Sequence, residues 1–189
     1  MTSNHTPNHT SNIVQPQALF EAGVTIHDET AKEADAIGLL TQVAFMREPY
    51  SSHTEQFIVA ALRRAGQLTV SLVAASGPDL IGHVAVSPVS LSTGEAGWHG
   101  LGPLSVHPQW QKQGIGSALV NTALERLLQL RSAGCVLLGD PAYYSRFGFK
   151  VWPGLVLPGV PAEYFQALPF GTNVPSAEVS YHAAFVATS

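Results

Sequence analysis

Residues 103–119 read Pro103-Leu104-Ser105-Val106-His107-Pro108-Gln109-Trp110-Gln111-Lys112-Gln113-Gly114-Ile115-Gly116-Ser117-Ala118-Leu119. A short apolar strand carrying Leu104 and Val106 stops at Pro108. A loop with Gly114 and Gly116 follows, and a helical pattern opens at about Ser117. Strand, glycine loop and helix start together make an anion cradle. Glycine admits close backbone approach, and the first amides of a helix lack internal partners and sit at the positive end of its dipole.

Downstream, Val120, Ala123, Leu124, Leu127 and Leu128 share one helix face, opposite Asn121, Glu125 and Gln129. Gly134 ends that helix, and Cys135 to Leu138 is a four-residue apolar run of the kind found in buried parallel strands. The three elements form one βαβ unit. Asp140 then caps a short helix from Ala142 to about Phe147, with Pro141 in its first turn, and a strand is expected over Phe149 to Trp152. Residues 153–175 carry five prolines. They read as irregular cover with a helix-like scrap from Glu163 to Leu168. A last strand is expected from about Glu178 to Val186.

Upstream of the loop, Val24 to Ile26 reads as a strand. Thr30 with Glu33, and Ser52 with Glu55, are capping-box signatures that predict helices over about 30–46 and 53–65. Leu68 to Ala75 and Ile81 to Leu91 read as a hairpin around Ser76-Gly77-Pro78-Asp79, and a strand from about Trp98 delivers the loop. Residues 1–20 are polar and unpatterned and read as a flexible tail before one domain over 21–189. His5 and His9 lie in that tail without a partner ligand, so no metal is expected.

The 189 residues include nine basic and thirteen acidic side chains, a formal net charge of −4, with 46% hydrophobic residues. That suits one domain with a real core, and the lack of a basic patch argues against nucleic acid or an acidic membrane surface as partner. The lone Cys135 reads as a small buried hydrophobe. With neither a leader pattern nor an apolar span, the expected location is cytoplasmic.

Three phosphate motifs compete for the loop. A Walker loop needs a lysine after its last glycine, where Ser117 stands, and a dinucleotide fingerprint needs a third glycine, where Leu119 stands. What remains is Gln-x-x-Gly-x-Gly, made by Gln111, Gly114 and Gly116. This resembles the acyl-coenzyme A signature of the GCN5-related N-acetyltransferase (GNAT) superfamily. Tyr144-Ser145-Arg146-Phe147-Gly148-Phe149 looks like that superfamily's Y-x-[KR]-x-G-F element. The wider string from Gly139, with Leu101-Gly102-Pro103-Leu104 upstream and Tyr181-His182 near the C-terminus, is similar to the YhbS-like subfamily of predicted acetyltransferases.

The resemblance implies an α/β fold with a mixed, mostly antiparallel twisted sheet, a central parallel βαβ unit and flanking helices. It implies an enzyme that moves an acetyl group from acetyl-coenzyme A to an amine of a small molecule or protein, as a monomer or homodimer. A non-catalytic module that binds or senses acyl-coenzyme A is the alternative. By the same resemblance Leu104, Ser105, Val106 and the run Gln111, Lys112, Gln113, Gly114, Ile115, Gly116 and Ser117 would hold the donor. Tyr144 would stand beside the sulfur as general acid. Glu55, His83 and His107 are the candidate bases, and water or an already neutral amine is the remaining option.

Overall fold

A computed structural model describes residues 19, 23–49 and 51–189. Six strands run in the order β1 (Val24–Asp28), β2 (Val70–Ser76), β3 (Asp79–Leu91), β4 (Trp98–Val106), β5 (Gly134–Leu138) and β7 (Phe165–Pro169). Every neighbouring pair is antiparallel except β4 with β5. The far half of β3 also pairs with β8 (Ala177–Tyr181), which carries the two-residue β6 (Leu155–Val156) in parallel.

Alternation along β2 and β3 sorts their side chains onto two faces. Val73 and Ala85 face α1 (Ala34–Phe45) and α2 (Glu55–Arg64), packing with Ile37 and Val59. Leu72, Ala74 and Val84 face α3 (Ile115–Gln129), where Leu119, Ala123 and Leu127 are fully buried. Gly82 lets α3 settle onto β3: a Cβ there would stand 2.9 Å from both Ile115 Cγ2 and Leu119 Cδ1.

The strand that delivers the loop is bent. Val86 pairs with Leu101 but Val84 with Leu104, so β4 carries one extra residue at Gly102-Pro103, whose peptide bond is cis. Such a bulge bends the strand that holds it. Next to it the parallel pairing ends: only Trp98, His99 and Gly100 pair with β5. Beyond Gly100, β4 and β5 diverge and a cleft opens between them.

Several expectations shift. The α3 helix begins at Ile115, two residues early. Phe149–Trp152 forms no strand; Lys150 makes one isolated bridge to Ala167, and Phe149 is buried in the core. The helix-like scrap at Glu163–Leu168 is instead mostly β7, an edge partner of β5. The expected last strand ends at Tyr181 and gives way to a 3-10 turn over Ala183–Val186. Of residues 1–20, only Leu19 is among the described residues, and it is buried in the core with Val24, so the packed core reaches back into the range read as tail. His5 and His9 lie outside the described residues. Among the described residues no three His, Cys, Asp or Glu side chains come together to hold a metal, and no helix is long and apolar enough to cross a membrane.

Candidate active site

Two cavities meet where β4 and β5 part. The larger, about 1020 Å³, is lined by Leu104, Val106, Gln111, Lys112, Gly114, Gly116 and Ser117 from the strand and loop. Tyr143, Tyr144, Arg146 and Phe147 line its other wall. The smaller, about 600 Å³, lies towards α1 and α2. Glu48, Leu104, Val106, Gln111 and Tyr144 line both.

On one side of the larger cavity lies an open strand edge. His107 N donates to Ile81 O at 2.9 Å. Because backbone groups in an antiparallel pair turn alternately towards and away from the partner, Ser105 faces β3 while Leu104 and Val106 turn outward to the cleft. Val106 O already accepts from Gln111 Nε2 at 3.3 Å. The backbone groups of Leu104 and the Val106 amide remain for an extended ligand arm. Ser105 offers neither backbone group, since both turn to β3, and its buried hydroxyl donates to Thr41 Oγ1 at 3.2 Å.

The cradle follows. Lys112 and Gly114 adopt left-handed backbone, with φ of 60° and 89°, which turns the chain sharply into α3. Gly114 tolerates this without a Cβ penalty. The first helical bond is Ala118 N to Gly114 O at 2.9 Å, so the amides of Ile115, Gly116 and Ser117 have no acceptor inside the helix. A Cβ at Gly116 would stand 2.8 Å from Tyr143 Oη and 3.6 Å from Val106 Cγ2. It would fill the cradle. Lys112 and Arg146 bring two cations to this cavity, and the Arg146 guanidinium lies 4.6 Å from the centroid of the Tyr143 ring. Free amides, cations and an open strand edge fit a pyrophosphate with a pantetheine arm. Gln113 and Ile115 have other tasks: Gln113 Nε2 donates to Gln109 O at 2.8 Å, and the Ile115 side chain is buried in the core.

Tyr144 stands at the junction of the cavities. Its short helix α4 (Pro141–Tyr144) is capped by Asp140, whose Oδ1 accepts from Ala142 N at 2.9 Å. The Tyr144 ring meets Tyr143 edge-on at 4.9 Å and Phe149 at 6.1 Å. Burial pushes its phenol well above the ordinary tyrosine range, with the neighbouring Tyr143 and Cys135 adding to the effect. Tyr144 therefore stays protonated. Burial likewise raises the Cys135 thiol and keeps it inert.

The three candidate bases occupy different places. Glu55 is 9% exposed and lines the smaller cavity. Its Oε1 accepts from Ser51 Oγ at 2.7 Å and from Ser52 N at 3.2 Å, while Oε2 is buried with no partner among the described residues. Half of the expected capping box is thus present, but α2 starts at Glu55 with Thr54 as its cap. His83 lines neither cavity. It is fully buried on the α1 and α2 face, with Nε2 2.8 Å from Ser71 Oγ, and Ser71 donates in turn to Glu29. Arg63 grips the same Glu29 through two bonds of 2.7 and 2.8 Å. His107 also lines neither cavity; its Nδ1 accepts from Gln109 N at 3.3 Å and caps the turn after β4.

Several lining residues escaped the sequence reading. Glu48 lies in a connection without periodicity. Arg146 and Phe147 were in view only as letters of a motif. Tyr181 reaches the smaller cavity because β8 pairs with β3, Val89 opposite Tyr181. Its ring covers Gly100, where a Cβ would stand 3.1 Å from Cδ1, and it meets the Phe185 ring at 4.5 Å.

Residues 67–151 match a family described as an acetyltransferase (GNAT) domain. An uncharacterised N-acetyltransferase of Escherichia coli strain K12, YhbS, is 39% identical over 121 residues, covering 59% of this chain and 72% of the relative. The crystal structure of a GNAT family acetyltransferase from Brucella melitensis in complex with acetyl-CoA superposes with a TM-score of 0.78 at 44% identity, covering 87% of this chain and 99% of that one. The crystal structure of Escherichia coli YhbS in complex with CoA gives a TM-score of 0.77 at 35% identity, covering 87% and 92%.

Proposed function

The chain belongs to the GNAT acetyltransferase family, and from that premise we propose that it transfers an acetyl group from acetyl-coenzyme A to an amine by direct attack. The observation that carries this reading is the junction of the two cavities at Tyr144. Donor and acceptor enter from opposite sides and meet beside a protonated phenol.

Acetyl-coenzyme A supplies an activated acyl group on a thiol leaving group. The amides at the start of α3, with Lys112 and Arg146, hold its pyrophosphate. The backbone groups of Leu104 and the Val106 amide pair with the pantetheine arm as an added strand, and whichever amide lies nearest the thioester polarises its carbonyl. Glu55 Oε2 takes a proton from the acceptor ammonium. The neutral nitrogen forms the new C–N bond, the C–S bond breaks, and the electron pair leaves on sulfur. Tyr144 donates its hydroxyl hydrogen to that sulfur and recovers a proton from the acylated nitrogen. Net, one ammonium and one thioester give an amide, a thiol and a proton, which Glu55 releases to solvent.

Titration calorimetry with acetyl-coenzyme A, paired with thiol release in the presence of amines, tests this reading. Micromolar binding and amine-dependent thiol release are expected. A protein that binds no acetyl-coenzyme A would overturn it.

A further inference from the structure

Resting on the acetyl-transfer reading above, we infer that the acceptor is a primary amine on an apolar body of about aryl size that carries no anionic group. Three properties of the smaller cavity converge on this class. Among the described residues its ionisable lining consists of Glu48, Glu55, Tyr144 and Tyr181, with no lysine, arginine or histidine. Such a lining attracts an ammonium and repels a carboxylate or phosphate. Its walls are otherwise largely apolar and aromatic: Phe45 and Ile58 from the helices, Leu157 from the segment after β6, and Tyr181 with Phe185 from the C-terminal end.

The third property is the unpartnered Oε2 of Glu55. Ser51 and Ser52 pin one oxygen of this carboxylate, and the other is buried without a donor. A buried acceptor is rarely left unpaired, and an ammonium in the cavity, directly or through a bridging water, supplies the missing donor. The same carboxylate that orients the ammonium then removes its proton. Size sets the rest. The cavity is about 600 Å³ and shares its inner end with the donor cavity, which leaves room for a small ring on a short alkyl arm. A polyamine would strand its second ammonium among Leu157, Phe185 and Ile58.

The test compares 2-phenylethylamine, L-phenylalanine, L-phenylalaninamide, spermidine and a lysine-containing peptide in the thiol-release assay. 2-Phenylethylamine should exceed phenylalanine at least about 100-fold in kcat/KM, and phenylalaninamide, which lacks only the negative charge, should recover most of that loss. Glu55→Gln should lower kcat/KM for 2-phenylethylamine by about 100-fold while leaving calorimetric acetyl-coenzyme A binding unchanged, which also reports that the variant is folded. Equal or better turnover of phenylalanine, spermidine or the peptide overturns the inference and leaves acetyl transfer standing. So does acetyl-coenzyme A binding with no acceleration by 2-phenylethylamine. Failure to bind acetyl-coenzyme A removes instead the reading on which it rests.

Discussion

Gly139 lies directly beneath the ring of Tyr144: a Cβ at position 139 would stand 2.8 Å from Cδ2 of that ring. Gly139 is itself held from the far side, its amide bonded to Tyr164 O at 2.9 Å and its carbonyl accepting from Gln166 Nε2 at 3.0 Å. The backbone cannot yield, so an added methyl must move the ring. Gly139→Ala should lower kcat by about 10- to 100-fold, the scale of an ångström of misplacement, with acetyl-coenzyme A affinity within about twofold by calorimetry. Unchanged kcat would show that the position of Tyr144 is immaterial.

The cradle depends on a second glycine, remote from any ligand. Gly82 seats the first turn of α3 against β3, where Ile115 and Leu119 leave no room for a side chain. Gly82→Val overpacks that contact, which costs about 1–3 kcal/mol, and tilts the helix start whose amides form the cradle. Melting should fall by roughly 3–10 °C, and the acetyl-coenzyme A Kd should rise together with it. A loss of stability without loss of affinity would uncouple the cradle from the packing of α3.

Gly114, Gly116 and the amphipathic stripe of α3 were legible because each follows from local chemistry: a positive φ, a close approach and a helical period. The β7 strand was not. Gln166 interrupts its apolar run, and only the fold reveals that this buried amide serves the Gly139 carbonyl. The bulge at Gly102-Pro103 had a local signal, two residues that a central strand tolerates poorly. Its consequence, the parting of β4 from β5, depends on a partner strand about 30 residues away. For the same reason Glu55 and His83 looked equivalent as candidate bases. Burial places one in a cavity and the other in a closed hydrogen-bond chain.

That closed chain predicts a pH-dependent stability. Burial alone would raise the Glu29 carboxyl, but hydrogen bonds from Arg63 and Ser71, the nearby His83 ring and the Arg63 charge hold it far below the usual carboxylate range. Burial, partly offset by the neighbouring Glu29 carboxylate, depresses His83 below an ordinary histidine. In both cases the unfolded chain binds protons that the folded chain refuses. Stability should therefore be full above about pH 6.5 and fall as pH drops, first as unfolded His83 protonates and then through the ordinary glutamate range near pH 4. Calorimetric melting from pH 8 to 4 should show this decline. His83→Gln should shrink its upper part, between about pH 6.5 and 5, to which His99, also depressed by burial, contributes the rest, while kcat/KM at pH 7.5 stays within about threefold, because His83 lines neither cavity. A collapse of activity in a folded His83→Gln protein would return this residue to the list of bases.

Tyr144 gives the sharpest chemical prediction, because two of its properties pull apart. Burial keeps the phenol protonated beyond the pH at which an ordinary tyrosine, with a pKa of about 10, gives up its proton. The same burial makes it a weak acid, so its contribution is strongest as a hydrogen bond to the departing sulfur, with the proton following only as negative charge accumulates there. Tyr144→Phe should lower kcat by about 100-fold, within the usual range for a positioned acid, without changing calorimetric acetyl-coenzyme A affinity. Tyr143→Phe, whose hydroxyl lies over Gly116 at the cradle, should instead act on the donor KM. In the wild type the kcat profile should show no alkaline fall with a midpoint near 10. A fall there that vanishes in Tyr144→Phe would mean that the phenol titrates normally.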